Sequence, residues 1–198
     1  DQKTGLCDNK ALNLYQFFDW NVSKANTIKP NIVGSFTVKG DRLIVSDPLY
    51  KKGEDELQIV LSDVKKGVWT SSISYTDDEM VKSLFVYSGE KPSSGKWHKH
   101  KRMIAVDSAQ AGVFEFESYG KDEIIQNKVE NIQNIELKEN GSKYYVACCD
   151  AVSSIDQGGI IPNGAVEMSG YGDGVYPVQL KYNISKQIVG VKIDFEED

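Results

Sequence analysis

Three aspartates each border a short run of residues typical of a β-strand, and they are the side chains of this chain best suited to chemistry. They are Asp47, Asp107 and Asp173. If the strand ends converge, the three carboxylates form a cluster. Clustered carboxylates bind hard cations such as Ca²⁺ or Mg²⁺, or divide acid and base roles between groups with different pKa values. In the alternative interpretation, each aspartate accepts backbone N–H bonds in its own turn.

Asp173 lies in the glycine-rich segment Ser169–Val178, which leads into an apolar, strand-like run. Glycine is used where φ must be positive or where another part of the backbone comes close. The segment is therefore a specified turn, and turns often carry functional residues. The candidate loop and pocket residues around the three aspartates are Tyr50, Ser108, Gln110, Gly172, Gly174 and Tyr176.

Two histidines, His98 and His100, lie at the end of a polar segment, Gly89–Lys101, which we predict to be a solvated basic loop. On a strand the two imidazoles would face the same way and could bind one metal, but the neighbouring cations oppose this. A contact with phosphate or with an acidic partner is the other alternative. Ser108 and Ser169 would be nucleophiles only with a base in reach. The chain has no Gly-x-Ser-x-Gly elbow, Walker loop or dinucleotide fingerprint.

Short β-type runs recur at intervals of about ten residues, which favours an antiparallel sandwich or an open barrel. The predicted strands are Ile32–Val38, Arg42–Ser46, Gln58–Ser62, Val68–Tyr75, Val81–Ser88, Met103–Val106, Val113–Glu117, Tyr144–Cys149, Ala165–Ser169, Val175–Tyr182 and Ile188–Phe195. Ile125, Val129 and Ile132 have helical spacing, so we predict one internal helix over residues 121–135. The fold class is α+β and mainly β.

Residues 1–30 differ from the rest of the chain, because Leu12, Tyr15 and Phe18 have a helix-like spacing. We therefore predict two units, an N-terminal helical extension at 1–30 and a single mainly-β domain at 31–198. The extension either packs on the domain through its aromatic face or serves as a docking helix for a partner.

The chain has 198 residues and a net charge of −6, which argues against binding to a nucleic acid backbone and suits a protein partner. No apolar run reaches the length of about 20 residues that a membrane span needs. Three cysteines without zinc-type spacing, Cys7, Cys148 and Cys149, suit a reduced, cytoplasmic protein. Because the chain starts at Asp1, a leader peptide that has been removed stays an open alternative. The sequence also leaves the oligomeric state open.

Three motifs in this order resemble a family of small bacterial and phage-associated proteins that is described as a domain of unknown function. They are Asp47–Tyr50, Val106–Gly112 and Ser169–Val178, and the resemblance spans roughly residues 32–196. Two positions depart from the family pattern, because Leu49 replaces a common cysteine and Ala109 a common glycine. The first departure argues against a cysteine-dependent activity. The resemblance supports the domain prediction and implies no particular activity.

The leading functional hypothesis is a non-enzymatic binding or interaction protein, of which an immunity or toxin-neutralising role would be one form. It needs no cofactor. One alternative is a metal-dependent or carboxylate-based hydrolase that uses Asp47, Asp107 and Asp173. The other is a domain that Ca²⁺ bound at the same residues stabilises without turnover.

Overall fold

A computed structural model of the chain describes residues 31–54, 56–126 and 140–196. Within them, eleven strands form two antiparallel sheets, which confirms the mainly-β sandwich. The strands are β1 Asn31–Val38, β2 Leu43–Ser46, β3 Ile59–Leu61, β4 Gly67–Tyr75, β5 Val81–Ser88, β6 His98–Val106, β7 Gln110–Glu115, β8 Gly158–Ile161, β9 Gly164–Met168, β10 Gly174–Tyr182 and β11 Ile188–Asp194. The predicted N-terminal extension at 1–30 lies outside the described residues.

The larger sheet has six strands in the order β1-β4-β5-β11-β10-β6, and the smaller has five in the order β3-β2-β7-β9-β8. Their facing sides form the main core, in which Trp69, Ile73, Leu84, Ile104 and Ile193 are almost completely buried. The core residues recur at every second position of a strand, because successive side chains of a strand point to opposite faces.

In the described part of the chain one α-helix, α1 at Ser142–Val152, packs on the outer side of the five-stranded sheet. Our prediction of a strand at Tyr144–Cys149 is therefore wrong. Tyr144, Cys148 and Val152 are spaced four residues apart, and they form the buried face of the helix. A short apolar run does not distinguish a strand from a buried helix. The tertiary structure favours the helix at this segment, because a residue distant in the sequence caps its N-terminus.

That capping residue is Asp122, which lies 20 residues before the helix starts. Its carboxylate accepts hydrogen bonds from the Gly141 N–H at 3.0 Å and from the Tyr144 N–H at 2.8 Å. These bonds satisfy amides at the helix N-terminus that have no partner within the helix. Asp122–Ile124 itself forms one 3₁₀ turn. This turn replaces the start of the helix predicted at 121–135, and residues 127–135 lie outside the described part.

Three further strands differ from the prediction, and β7 is one of them, because it begins at Gln110 rather than at Val113 and ends at Glu115 rather than at Glu117. β6 begins at His98, so the end of the predicted basic loop Gly89–Lys101 is a strand. Its first five residues, 98–102, are all His, Lys or Arg, and this polarity hides the start of the strand in the sequence. β8 was not predicted, because Gly158 and Gly159 make up half of it. A Cβ atom on Gly158 would lie only 2.6 Å from Ile73 Cδ1, so the close approach of the sheets requires glycine there.

In the described parts of the chain, no helix combines the length and the apolar character that crossing a membrane requires.

Candidate functional site

Three turns meet at one end of the sandwich, and each carries one of the three aspartates. β2 and β6 end there and β10 begins there, since neighbouring strands of both sheets are antiparallel. We call this region the aspartate corner and define it as residues 47–50, 107–110 and 169–174. Each turn belongs to a different connection of the chain, so only the fold brings them together.

Asp47 is fully buried and connects the two sheets. Its Oδ2 accepts the N–H groups of Asp107 and Ser108, both at 2.8 Å. Its Oδ1 accepts the Leu49 N–H at 2.8 Å and the Ser108 hydroxyl at 2.6 Å. Burial raises the pKa of Asp47, and these four hydrogen bonds offset only part of that effect. The carboxylate therefore links the turn after β2 to the turn that joins β6 to β7.

Asp107 is exposed and accepts a hydrogen bond at 2.7 Å from the hydroxyl of Tyr50. Burial of the Tyr50 ring raises the pKa of its phenol, and the Asp107 carboxylate raises it further. Tyr50 therefore stays protonated and acts as a hydrogen-bond donor. The pair joins the turn after β2 to the end of β6.

Asp173 accepts the Ala109 N–H on its Oδ1 at 3.0 Å. The neighbouring amide, that of Ser108, donates to Asp47, so the two carboxylates lie within about 10 Å of each other. Ala109 has a φ of +54°, the left-handed region that glycine prefers. Ala109 therefore adopts a strained backbone, which its hydrogen bond to Asp173 helps to hold.

The glycine-rich turn packs against the start of β5. Gly170 has a φ of +63°, and a Cβ atom there would lie 2.0 Å from the Val81 carbonyl oxygen. The Gly172 carbonyl accepts the hydroxyl of Ser169 at 2.5 Å and that of Tyr176 at 2.9 Å. The turn predicted at the glycine-rich segment is thus present. Tyr176 is buried beneath this turn and is not presented to a ligand.

The structure does not place Gln110 at the rim of the corner. Its side chain is buried on the helix side of the five-stranded sheet, where Nε2 donates to Cys149 Sγ at 3.3 Å. Gly174 is exposed and pairs with Val106 at the start of β10. Of the candidate residues, Tyr50 and Ser108 contact the aspartates directly, whereas Gln110 and Tyr176 support the surrounding structure.

Tyr119 was not among the residues predicted from the sequence, although it stabilises the turn at residues 47–50 of the aspartate corner. Its buried hydroxyl lies 2.9 Å from the Asp47 carbonyl oxygen and 2.7 Å from the Tyr50 carbonyl oxygen. Gln58 and Ser46 complete this buried polar network. No local pattern around Tyr119 could have revealed it, since its partners are about 70 residues away in the chain.

Within residues 31–54, 56–126 and 140–196, no group of three or more His, Cys, Asp or Glu side chains could hold a metal ion. The two histidines of β6 have separate partners. The His98 ring packs edge-on against Tyr182, with centroids 5.8 Å apart. His100 Nδ1 accepts the Arg102 N–H at 3.1 Å. An open depression of about 490 Å³ lies elsewhere, between β2 and β3, and is lined by Gly53, Glu54, Glu56 and Leu57.

A second candidate site is the outer face of the six-stranded sheet, the side that faces away from the core. α1 covers the five-stranded sheet only. Among the described residues, four exposed apolar side chains lie on this outer face, with exposed fractions of 59% for Ile32, 54% for Val68, 40% for Met103 and 60% for Val175. Their cross-strand partners place all four on this side, opposite to the core residues of the same strands.

The chain matches no known protein family by comparison with family models. Searches of curated proteins and of solved structures find no similar chain. The resemblance of the three motifs to a bacterial and phage-associated family therefore stays a prediction.

Proposed function

We propose that this chain is a protein-binding domain that docks its partner on the outer face of the six-stranded sheet. The observation that carries the proposal is the asymmetry of the sandwich. One sheet is covered by α1. The outer face of the other carries Trp97, which packs against Phe85 and Lys181, and otherwise presents the exposed side chains of Ile32, Val68, Met103 and Val175. Apolar surface of this kind marks interaction sites when it is contiguous.

The most continuous part of this surface lies where β10 pairs with β6. Val175 lies opposite Ala105, and Pro177 lies opposite Met103, with all four side chains directed outward. We call these four residues the apolar strip. Directly opposed side chains on one face of an antiparallel pair are about 5 Å apart, so the strip forms one contact area.

The aspartate corner supports this function by fixing the strip in place. β10 begins at Gly174, next to Asp173, and β6 ends at Val106, next to Asp107. The bonds from Asp47 and Asp173 to the turn after β6 hold both strand ends in register. A binding surface on rigid strands loses less conformational entropy when a partner docks.

The hydrolase and Ca²⁺ alternatives gain no comparable support. Asp47 and Asp173 accept hydrogen bonds from backbone amides, and Asp107 accepts one from Tyr50. Only the Leu49 N–H that Asp47 accepts belongs to an aspartate's own turn, and the other bonds join the aspartates to neighbouring turns of the corner. An immunity or toxin-neutralising role remains one form of the proposed binding function.

The test is site-specific photocrosslinking in cells that produce the full chain. A photoreactive phenylalanine analogue at position 103 should give one covalent adduct of defined mass, and Val175→Asp in the same chain should abolish it. Ile184→Asp is the matched control, because Ile184 is fully exposed on the hairpin between β10 and β11. It should leave the adduct unchanged.

Two results would contradict the proposal. One is an adduct that persists with Val175→Asp, and the other is an equal yield of adducts when the analogue is placed at position 184. A covalent dimer would identify a second copy of the chain as the partner.

A further inference from the structure

The segment made up of β6 and the residues that lead into it is unusually basic for this chain. Residues 91–106 contain five Lys or Arg, both histidines and no Asp or Glu, although the net charge of the chain is −6. The cations are Lys91, Lys96, Lys99, Lys101 and Arg102. A local reversal of the overall charge is a surface feature that can select a partner of opposite sign.

The fold places Lys99, Lys101 and Arg102 on the edge strand β6 of the six-stranded sheet, and Lys91 and Lys96 lie in the segment that leads into it. β6 is the last strand, paired with β10 on one side only. Lys96, Lys99 and Lys101 are exposed, and none of them forms an ion pair with an acidic side chain in the described parts of the chain. Arg102 differs from them, because it donates to the Gln58 carbonyl oxygen at 2.9 Å.

The cationic residues and the apolar strip follow one another along the same strand pair. Lys99 lies opposite Gln179, and four residues further along β6, after a register shift, Met103 lies opposite Pro177. The β10 partners of Lys99 and Ala105, Gln179 and Val175, are four residues apart, so at about 3.3 Å per residue Lys99 and Ala105 are separated by roughly 13 Å. An extended segment of about four to six residues could therefore contact both parts at once.

Main-chain pairing contributes little to this contact near the end of β6. The Ala105 N–H, on the side away from β10, already donates to the Leu57 carbonyl oxygen at 3.1 Å. The segment between β2 and β3 thus closes that part of the edge. Recognition there has to come from side chains, the ammonium groups of the lysines and the apolar strip.

We propose that β6 and the apolar strip bind an acidic protein segment, with its carboxylates on Lys96, Lys99 and Lys101 and its apolar side chains on Met103 and Val175. The inference rests on the proposed function and adds the chemistry of the partner. A protein segment is favoured over nucleic acid, because the apolar strip offers nothing to a phosphate backbone and the net charge of −6 repels a long polyanion.

The probe is a synthetic, acetylated peptide with three glutamates followed by alternating leucine and serine, and its control carries lysines in place of the glutamates. Titrated into the ¹⁵N-labelled full chain, the glutamate peptide should shift the amide signals of residues 98–106 and 174–179. The lysine peptide should not. Because exposed charges are screened by salt, binding should weaken on going from about 0.05 M to about 0.5 M NaCl.

Charge reversal gives the matched pair of variants. Lys99→Glu with Lys101→Glu should weaken binding of the glutamate peptide by roughly tenfold. Lys65→Glu with Lys66→Glu makes the same change in net charge on exposed residues just before β4, and it should have no effect.

The inference is overturned if the glutamate peptide shifts no signals, if both peptides bind equally, or if Lys99→Glu with Lys101→Glu binds like the unaltered chain. In the last case the lysines only protect the sheet edge from aggregation. Tighter binding of a short single-stranded DNA would assign the edge to nucleic acid. If Val175→Asp still abolishes the crosslinked adduct, the proposed function survives and only the acidic chemistry fails.

Discussion

Glu167 on β9 is buried in an unusual way, and it provides the sharpest test of the structure. Its side chain is completely buried, and neither carboxyl oxygen has a hydrogen-bond partner. It lies opposite Ala111 and Gly158 on the face that packs against the six-stranded sheet. Burial raises the pKa of Glu167 well above its usual value, since an unpaired charge is strongly disfavoured there.

Replacing this carboxyl by an apolar side chain of similar length should stabilise the fold. Keeping a carboxyl neutral costs about 1.4 kcal/mol for each pH unit above its unfolded pKa, or up to about 4 kcal/mol at pH 7. Because the folded pKa is raised, stability is complete below the unfolded pKa and falls as the pH rises toward the folded value. Glu167→Met should therefore raise the free energy of unfolding by roughly 2–4 kcal/mol at pH 7.

Glu115 on β7 is the matched control, because it is also buried, with 3% of its surface exposed, but its carboxylate is fully supported. The Lys39 and Gly40 amides and the Ser118 hydroxyl donate to it at 2.6–2.8 Å. Burial alone would raise the pKa of Glu115, but these bonds outweigh it and lower the pKa. Its stabilisation is therefore present at neutral pH and is lost as the pH falls through the folded pKa.

Glu115→Met should lower the free energy of unfolding by about 2–4 kcal/mol at pH 7, since three donors lose their acceptor. The assay is urea unfolding of both variants and the unaltered chain between pH 5 and about pH 8. The benefit of Glu167→Met should grow with pH across this range. A loss of stability for Glu167→Met, or a benefit that does not depend on pH, would refute the burial of an unpaired carboxyl at this position.

Two backbone predictions test the aspartate corner. Ala109→Gly should raise the free energy of unfolding by about 0.5–1 kcal/mol, because it relieves the strain of an alanine in the left-handed region at φ +54°. This gain exceeds the entropic cost of the more flexible unfolded chain. An unchanged or lower urea midpoint would contradict this prediction. Gly170→Ala should cost more than about 2 kcal/mol, because the new Cβ meets the Val81 carbonyl oxygen. Gly172→Ala, where φ is +90° and the space is open, should cost less, and equal losses for the two variants would argue against the clash.

Strands in which apolar and polar residues alternate could be predicted from the local sequence. Val81–Ser88 was predicted with the bounds that the structure shows, and the runs that became β4, β10 and β11 differ from the observed strands by one residue at one end. The positions of Asp47, Asp107 and Asp173 in turns between strands could also be read locally. Each of these properties depends on neighbours within a few residues, which is the distance over which side-chain alternation and turn chemistry act.

What the carboxylates bind was decided only by the tertiary structure. Asp47 accepts three of its four hydrogen bonds from residues about 60 positions away, and Asp122 caps a helix that local sequence indicates as a strand. The same holds for the burial of Glu167 and for the basic edge of β6, whose polar residues looked like a loop. Local sequence sets backbone preferences, but hydrogen-bond partners and desolvation depend on which distant segments pack together, and these terms are as large as the preferences they override.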